Sequence, residues 1–165
     1  MSIQLYRVDE RLIHGQVIVG WGNELHPERI IVVDDDLAGS AWEQELYALG
    51  LPDEMTAVFC SVEEAIRRLG EWETDPVKSL LLTREVETMT RLAASGRLQG
   101  KEINIGGLHY APGRRSILPY VYLSEAERHA LKDLVESGAV PSAQDLPGGR
   151  RISVERLLKG GPEVS

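Results

Sequence analysis

Cysteine is nearly absent from this sequence, with Cys60 the single one. A lone cysteine cannot form a disulfide within the chain, and its place at the end of an apolar run is typical of a small buried residue. The sequence also lacks any run of about 18 apolar residues, and no basic segment followed by an apolar core opens it. We therefore expect neither a membrane span nor a secretory signal, and we predict a cytoplasmic protein.

Positive charge is also scarce. Lys and Arg together number 18 against 26 Asp and Glu, which gives a formal net charge of -8. This balance argues against binding to nucleic acid or to an anionic membrane surface, because both select a basic face. The four histidines, His14, His26, His109 and His129, do not have metal-ligand spacing, and Cys60 has no second cysteine beside it. We therefore predict no metal site.

The chain has 165 residues, of which 42% are hydrophobic, enough for one core. We predict a single domain over residues 1–165, with a mobile tail from about residue 160. Short apolar runs alternate with segments of helical periodicity, which predicts an α/β fold: a mostly parallel, open twisted sheet of about six or seven strands with helices on both faces. The predicted strands are 3–8, 29–33, 55–60, 78–83, 102–105 and 120–123, with an edge strand within 140–146.

The connections between these strands carry three further predictions. Residues 37–49 have the periodicity of one helix, for which Asp36 is the predicted N-cap. Residues 71–77, which include Pro76, lack periodicity and are predicted to form a loop. Residues 111–115 are predicted to form a basic turn.

One stretch, residues 7–21, places reactive side chains between a strand and a helix. His14 lies at this junction, and Arg11 precedes it by three residues. The first turn of a helix leaves N–H groups unpaired and carries partial positive charge, so Gly15, Gln16 and Val17 would offer donors to an anion. An imidazole, a guanidinium and a helix N-terminus predict a site for a phosphoryl group, held near the imidazole or bonded to it. The alternative is that His14 only caps or packs a loop.

Other polar or small residues follow the carboxyl ends of predicted strands, the edge at which open α/β sheets bind ligands. These residues are Asp9, Asp34, Asp35, Thr83, Gly106 and Gly107. We expect them to share one edge of the sheet with His14. The two glycines would let the backbone approach a bound group closely.

The motif Arg-Val-Asp-Glu-Arg-Leu-Ile-His-Gly-Gln-Val, residues 7–17, resembles the active-site loop of a known family. The family comprises the IIB subunits of the mannose/fructose/sorbose class of the bacterial phosphoenolpyruvate-dependent sugar phosphotransferase system. The resemblance continues through residues 30–35, 80–82 and 103–107, and it covers nearly the full chain in the family's order.

The resemblance implies that His14 takes a phosphoryl group from a IIA protein and passes it to a sugar bound by the membrane subunits IIC and IID. It implies catalytic positions for Arg11 and for Asp9, which would orient the loop or Arg11. The phosphate-binding positions it implies are Gly15, Gln16, Thr83, Gly106 and Gly107, with Thr83 donating its hydroxyl. No cofactor is implied, because the partner proteins supply the phosphoryl group and the sugar. A homodimer is also compatible with the sequence.

Three alternatives remain open at this point. In a nucleotide-binding, Rossmann-like module, Asp34 would hold a ribose about 20 positions after the loop, although the loop lacks the close glycines that pyrophosphate needs. In a hydrolase, His14 would be a general base, but no Gly-x-Ser-x-Gly nucleophile motif occurs. The third alternative is a regulatory IIB relative that is not engaged in transport.

Overall fold

The computed structural model describes residues 2–159 and is built on nine strands. In chain order these are β1 Ile3–Val8, β2 Arg29–Val33, β3 Thr56–Cys60, β4 Ser79–Thr83, β5 Glu102–Ile105, β6 Arg115–Leu118, β7 Val121–Leu123, β8 Val140–Ala143 and β9 Ile152–Ser153. Seven of them form one sheet in the order β3-β2-β4-β1-β5-β8-β9, in which only the β8–β9 pairing is antiparallel. The predicted fold class is confirmed.

The central strands are buried on both faces because helices cover both. The helical segments are a π-helix at Gln16–Trp21, α1 Gly22–Leu25, α2 Asp35–Ala38, α3 Ala41–Ala48, α4 Val62–Thr74, α5 Val86–Ala93, α6 Glu125–Glu136 and α7 Val154–Lys159. The π-helix, α2 and α3 pack on one face, against Ile30, Val32, Leu80 and Leu82. α4, α5, α6 and α7 pack on the other. Within residues 2–159, no helix is both long and apolar enough to span a membrane.

The predicted helix 37–49 is two helices, separated at Gly39 and Ser40. The prediction of Asp36 as the N-cap is wrong. α2 begins earlier than the apolar periodicity indicates, so Asp36 lies within its first turn, and Asp34 is the cap, with Oδ1 accepting the N–H of Leu37 at 2.9 Å.

Two further predictions are wrong in detail. The loop predicted at 71–77 is shorter, because α4 continues to Thr74 and fully buries Trp72 in the core. The strand predicted at 120–123 exists as β7, but it pairs with β6 in a separate antiparallel hairpin, and β6 begins in the predicted basic turn. The tail predicted to be mobile from about residue 160 lies outside the described residues.

The predicted edge strand 140–146 is β8, and it lies one place inside the edge. Its residue Pro141 has no N–H to donate, which normally confines proline to an edge. β9 pairs only with Ser142 and Ala143, so Pro141 is not required to donate on that side.

Candidate active site

The carboxyl ends of β1, β4 and β5 meet at one point of the sheet. Val8 is the register partner of Thr83 on one side and of Ile105 on the other. The backbone continues these ladders, since Asp9 N–H donates to Thr83 O at 3.0 Å and Gly106 N–H donates to Val8 O at 2.7 Å. The polar positions predicted after these three strands therefore lie side by side.

Two apolar side chains of the loop from Asp9 to His14 pack into the hydrophobic core and fix the loop in place. Leu12 and Ile13 are buried in the cluster under the π-helix, Leu12 completely. Leu12 has a φ of 57°, a left-handed conformation that costs a non-glycine residue on the order of 1 kcal/mol or more. Its N–H donates to Asp9 O at 2.9 Å, and Ile18 N–H donates to His14 O at 3.0 Å. These buried side chains and backbone hydrogen bonds fix the loop on both sides of His14.

The two ring nitrogens of His14 have different surroundings. Nε2 is inaccessible to solvent and lies 3.3 Å from Asp9 Oδ2, without reaching hydrogen-bond geometry. Nδ1 accepts the backbone N–H of Gln16 at 3.3 Å. A proton on Nε2, facing the carboxylate, leaves the lone pair on Nδ1, where it accepts the exposed Gln16 N–H, and this tautomer is assigned from the partners of the ring. The ring therefore presents Nδ1 as its nucleophilic nitrogen.

Asp9 is completely buried and accepts hydrogen bonds from two arginines and the backbone. Arg11 donates to it through N–H, Nε and Nη2 at 3.1 Å each, Arg7 Nη2 donates at 3.1 Å, and Gly107 N–H donates at 3.2 Å. Burial alone would raise the pKa of Asp9, but His14, Arg11 and Arg7 outweigh it and hold this pKa below its usual range. Asp9 is therefore ionised at neutral pH, and the side chains of the loop converge on its carboxylate.

Arg7 is the residue of the site that the sequence reasoning missed. It is completely buried and donates to Asn104 Oδ1, to Gln144 O at 2.8 Å and to Asp145 O at 3.1 Å, in addition to Asp9. Its guanidinium carbon lies 5.4 Å from the centre of the Trp21 ring. A signal was present in the sequence: Arg7 interrupts an apolar strand two residues before Asp9, a spacing that puts both side chains on the same side.

Arg11 stands between Asp9 and solvent, with its side chain 33% exposed. Besides its contacts with Asp9, its Nη2 donates to Gln16 Oε1 at 3.0 Å. Its Nη1 makes no hydrogen bond to any described residue. Arg11 is thus oriented by Asp9 and Gln16 while one arm of its guanidinium remains available to an anion.

The two glycines after β5 are used differently from the prediction. Their N–H groups are already taken, since Gly106 donates to Val8 O and Gly107 to Asp9 Oδ2. A Cβ on Gly106 would overlap the guanidinium of Arg7, and a Cβ on Gly107 would lie 2.9 Å from Arg11 Nη2. The glycines therefore make room for the two arginines, and neither N–H group is free to bind a phosphoryl oxygen in this structure.

We expect Gly106→Ala to lower the free energy of unfolding by at least about 1 kcal/mol, the lower end of the range for overpacking. Arg7 cannot move aside, since it is buried and held by several acceptors. Gly15→Ala is the control, because a Cβ there would meet no atom within 4 Å. Urea denaturation of both variants measures the difference, and equal stability of the two would refute this reason for the glycine.

Thr83 also departs from its predicted role. It is completely buried, and its hydroxyl donates to Glu85 O at 3.0 Å, so this proton is not available to a phosphoryl oxygen. Its carbonyl, by contrast, supports the site by accepting the Asp9 N–H.

Asp35, another polar residue predicted at this edge, stabilises the fold. One of its carboxylate oxygens accepts Val62 N–H at 2.9 Å, and the other pairs with Arg91 at 2.9 Å.

Asp34, the candidate ribose ligand, has both oxygens engaged. Oδ1 caps α2 and Oδ2 faces Arg84 Nε at 3.8 Å. We therefore expect no binding of NAD with a micromolar dissociation constant, which would correspond to roughly 8 kcal/mol. Calorimetric titration with NAD tests this expectation. Saturable heats that disappear in Asp34→Ala would favour the nucleotide-binding alternative.

A second charged cluster, also missed from sequence, joins the loop to the hairpin and α6. Glu10 Oε1 accepts the N–H of His109 at 2.6 Å and lies 2.8 Å from its Nδ1, while Oε2 pairs with Arg114 at 3.0 Å. Arg114 in turn pairs with Glu127 at 2.6 Å. Burial would raise the pKa of Glu10, but His109 and Arg114 hold this pKa below its ordinary value. The cluster holds the segment after Gly107 against the loop.

Comparison with known proteins gives a family for this chain. The family described as "PTS system sorbose subfamily IIB component" matches residues 3–163. The N-acetylgalactosamine-specific phosphotransferase enzyme IIB component 1 of Escherichia coli is 29% identical over 156 residues, covering 93% of this chain and 96% of that protein. The sorbose-specific EIIB component of Klebsiella pneumoniae is 30% identical over 141 residues, covering 84% of this chain and 84% of that protein.

A longer relative and a solved structure extend the comparison. The mannose-specific EIIAB component of Escherichia coli is 31% identical over 159 residues, which are 96% of this chain but 47% of that protein. The crystal structure of the N-acetylgalactosamine-specific IIB component 1 from Escherichia coli matches with a TM-score of 0.83 and 29% identity, covering 92% of this chain and 98% of that one.

The mostly parallel sheet and its helices form the fold of a IIB component of the sugar phosphotransferase system. Within that class, the chain belongs to the sorbose subfamily of IIB components.

Proposed function

We propose that this protein is a cytoplasmic phosphocarrier that accepts a phosphoryl group on His14 Nδ1 from a IIA phosphohistidine. The observation that carries the proposal is the asymmetry of the ring, with Nε2 facing Asp9 at 3.3 Å and the Nδ1 lone pair facing the Gln16 N–H. Its partners are a IIA donor and the membrane subunits IIC and IID. The mannose-specific EIIAB relative, of which this chain matches about half, supports the IIA partner.

In the first transfer, the IIA donor and this protein supply every reacting group. The Nδ1 lone pair of His14 exchanges the Gln16 N–H for the phosphorus of the donor, the N–P bond to the donor imidazole breaks, and its electron pair returns to that imidazole. The positive charge that develops on the His14 ring is stabilised by the carboxylate of Asp9 beside Nε2.

The arriving phosphoryl oxygens meet two donors. Gln16 N–H points at Nδ1, the atom to which phosphorus becomes attached, and Arg11 Nη1 has no other partner among residues 2–159. Gly15, which begins the helix, has open space around it, so the phosphoryl group can approach without a side chain in its way. These residues replace Thr83, Gly106 and Gly107 as the proposed phosphate contacts.

The second transfer delivers the phosphoryl group to a sugar hydroxyl in the membrane complex. The sugar oxygen attacks phosphorus, the N–P bond breaks with its electron pair returning to His14 Nδ1, and the hydroxyl proton passes to water. Retention of the Nε2 proton keeps the ring a good leaving group, because the phosphorylated ring that carries this proton departs as neutral imidazole. Asp9 therefore assists both transfers.

Sugar phosphorylation by reconstituted components tests this function. Vesicles that contain the membrane subunits, with phosphoenolpyruvate, the two general phosphotransferase proteins and IIA, should form sugar phosphate only when this protein is added. His14→Ala should support none. Sugar phosphate formation at the wild-type rate with His14→Ala would refute the proposal, and a IIB relative with a regulatory role would load His14 without forming sugar phosphate.

A further inference from the structure

α3 exposes an apolar face. Trp42, Leu46 and Leu49 have relative exposures of 68%, 60% and 81%. Their spacing of four and three residues places them along one side of the helix. The opposite side attaches α3 to the protein, since Gln44 Nε2 donates to Leu37 O at 2.9 Å and Tyr47 packs against the cluster under the π-helix. We call the exposed residues Trp42, Leu46 and Leu49 the α3 face.

The α3 face ends beside the phosphoryl site. Leu51 packs in the same apolar cluster as Ile13, the residue before His14. A Cβ built on Gly50 would lie 3.8 Å from Ile13 Cγ2, so the chain just after Leu49 contacts the histidine loop. The C-terminal end of the α3 face is therefore one contact away from the loop that carries His14.

Its dimensions fit within one protein interface. Trp42 and Leu49 are seven residues apart, which is about 10 Å along a helix. A standard interface covers about 800 Å² of each partner, the area of a disc with a radius of about 16 Å. Because Gly50 contacts the residue before His14, a partner centred on His14 would reach the Leu49 end of the α3 face.

We propose that the α3 face is the surface on which the phosphodonor protein docks. This inference rests on the proposed function, because the donor must bring its phosphohistidine into bonding distance of His14 and so must cover the adjoining surface. Three exposed side chains are too few for a permanent dimer but suit a complex that forms and dissociates in every cycle. Tryptophan and leucine side chains also provide attraction that does not depend on charge, which matters because this chain has a net charge of -8 and the donor carries an anionic phosphoryl group.

The double variant Leu46→Gln and Leu49→Gln tests the proposal, since both positions are exposed and the fold should persist. The matched control is Val135→Gln, at a position 40% exposed near the end of α6, a helix on the other face of the sheet. Purified IIA from the source organism, phosphorylated beforehand, is the donor. Rates of transfer to this protein are measured against its concentration.

We expect the double variant to raise the KM of the transfer at least tenfold, with the maximal rate unchanged, and the control to stay within twofold of wild type. An unchanged KM would overturn the docking proposal while leaving the proposed function intact. A slower onward transfer to membrane vesicles, with normal loading by IIA, would assign the face to the acceptor and also overturn the proposal. The proposal would also be overturned if sedimentation showed that the wild-type protein is a dimer and that the double variant is a monomer. If IIA loads neither protein, the proposed function itself fails.

Discussion

Asp9→Ala is expected to lower the free energy of unfolding by roughly 3–5 kcal/mol, the cost of breaking a buried ion pair by removal of one partner. The substitution leaves the fully buried guanidinium of Arg7 without its counter-charge, and Arg11 loses the acceptor that orients it. Phosphoryl loading should fall with it, even under conditions where the variant remains folded. Urea denaturation followed by circular dichroism measures the loss of stability.

The control for Asp9→Ala is Glu63→Ala, which removes an exposed ion pair with Arg67. Exposed pairs of this kind contribute up to about 1 kcal/mol, so the control should remain close to wild type. A loss of less than about 1 kcal/mol for Asp9→Ala would mean that Arg7 does not need this carboxylate.

The pH dependence of stability should report the same interaction between the Asp9 carboxylate and the two arginines. The pKa of Asp9 is lowered in the folded protein, so its contribution is fully present above the unfolded pKa of about 4 and is lost as the pH falls towards the folded value. The stability of the wild-type protein should therefore fall more steeply than that of Asp9→Asn on acidification below about pH 5. Parallel stability curves for the two proteins would contradict this assignment.

Arg11→Ala should slow phosphoryl loading by roughly one to two orders of magnitude and leave the fold intact. Charge-assisted hydrogen bonds of this kind contribute roughly 1.5–3 kcal/mol, and each 1.36 kcal/mol is about tenfold in rate. Arg11→Lys should restore only part of the rate, because an ammonium keeps the charge but cannot contact Asp9, Gln16 and a phosphoryl oxygen with one planar group. Single-turnover loading by phosphorylated IIA measures both variants.

Arg84→Ala is a matched control for Arg11→Ala. Arg84 has the same 33% side-chain exposure and follows Thr83 at the same edge of the sheet, but it faces Asp34. Its removal should leave the loading rate within about twofold, since surface substitutions away from a site usually have small effects. If Arg11→Ala and Arg84→Ala behaved alike, Arg11 would be only a structural residue of the loop.

The gathering of Asp9, Arg11 and His14 at one edge could be predicted, because the carboxyl ends of parallel strands meet there and the loop is short. The fold class could be predicted for a related reason: alternating strands and helices leave few allowed topologies. The place of the 120–123 strand could not, because strand pairing depends on contacts distant in sequence. Val121 instead forms an isolated bridge to Leu108, which lies outside the strands of the main sheet.

The hydrogen-bond partners of Gly106, Gly107 and Thr83 could not be predicted, for one shared physical reason. Sequence position indicates which residues reach the site, but not which of their polar groups are already used. The glycine N–H groups and the threonine hydroxyl are satisfied within the protein. For Arg7, the spacing to Asp9 was readable from the sequence, but its other acceptors were not. Asn104 and Gln144 are 97 and 137 residues away along the chain, and only the fold brings them to the guanidinium.

Direct analysis of the phosphorylated protein is the measurement closest to the central claim. After incubation with phosphoenolpyruvate, the two general phosphotransferase proteins and IIA, we expect one phosphoryl group per chain. Peptide mapping should place it on His14, and phosphorus–nitrogen NMR should place it on Nδ1. The bond should be labile in acid and stable in alkali, because protonation makes the ring nitrogen a good leaving group. An acid-stable phosphoester, loading of His109 instead of His14, or loading that survives His14→Ala would contradict the account.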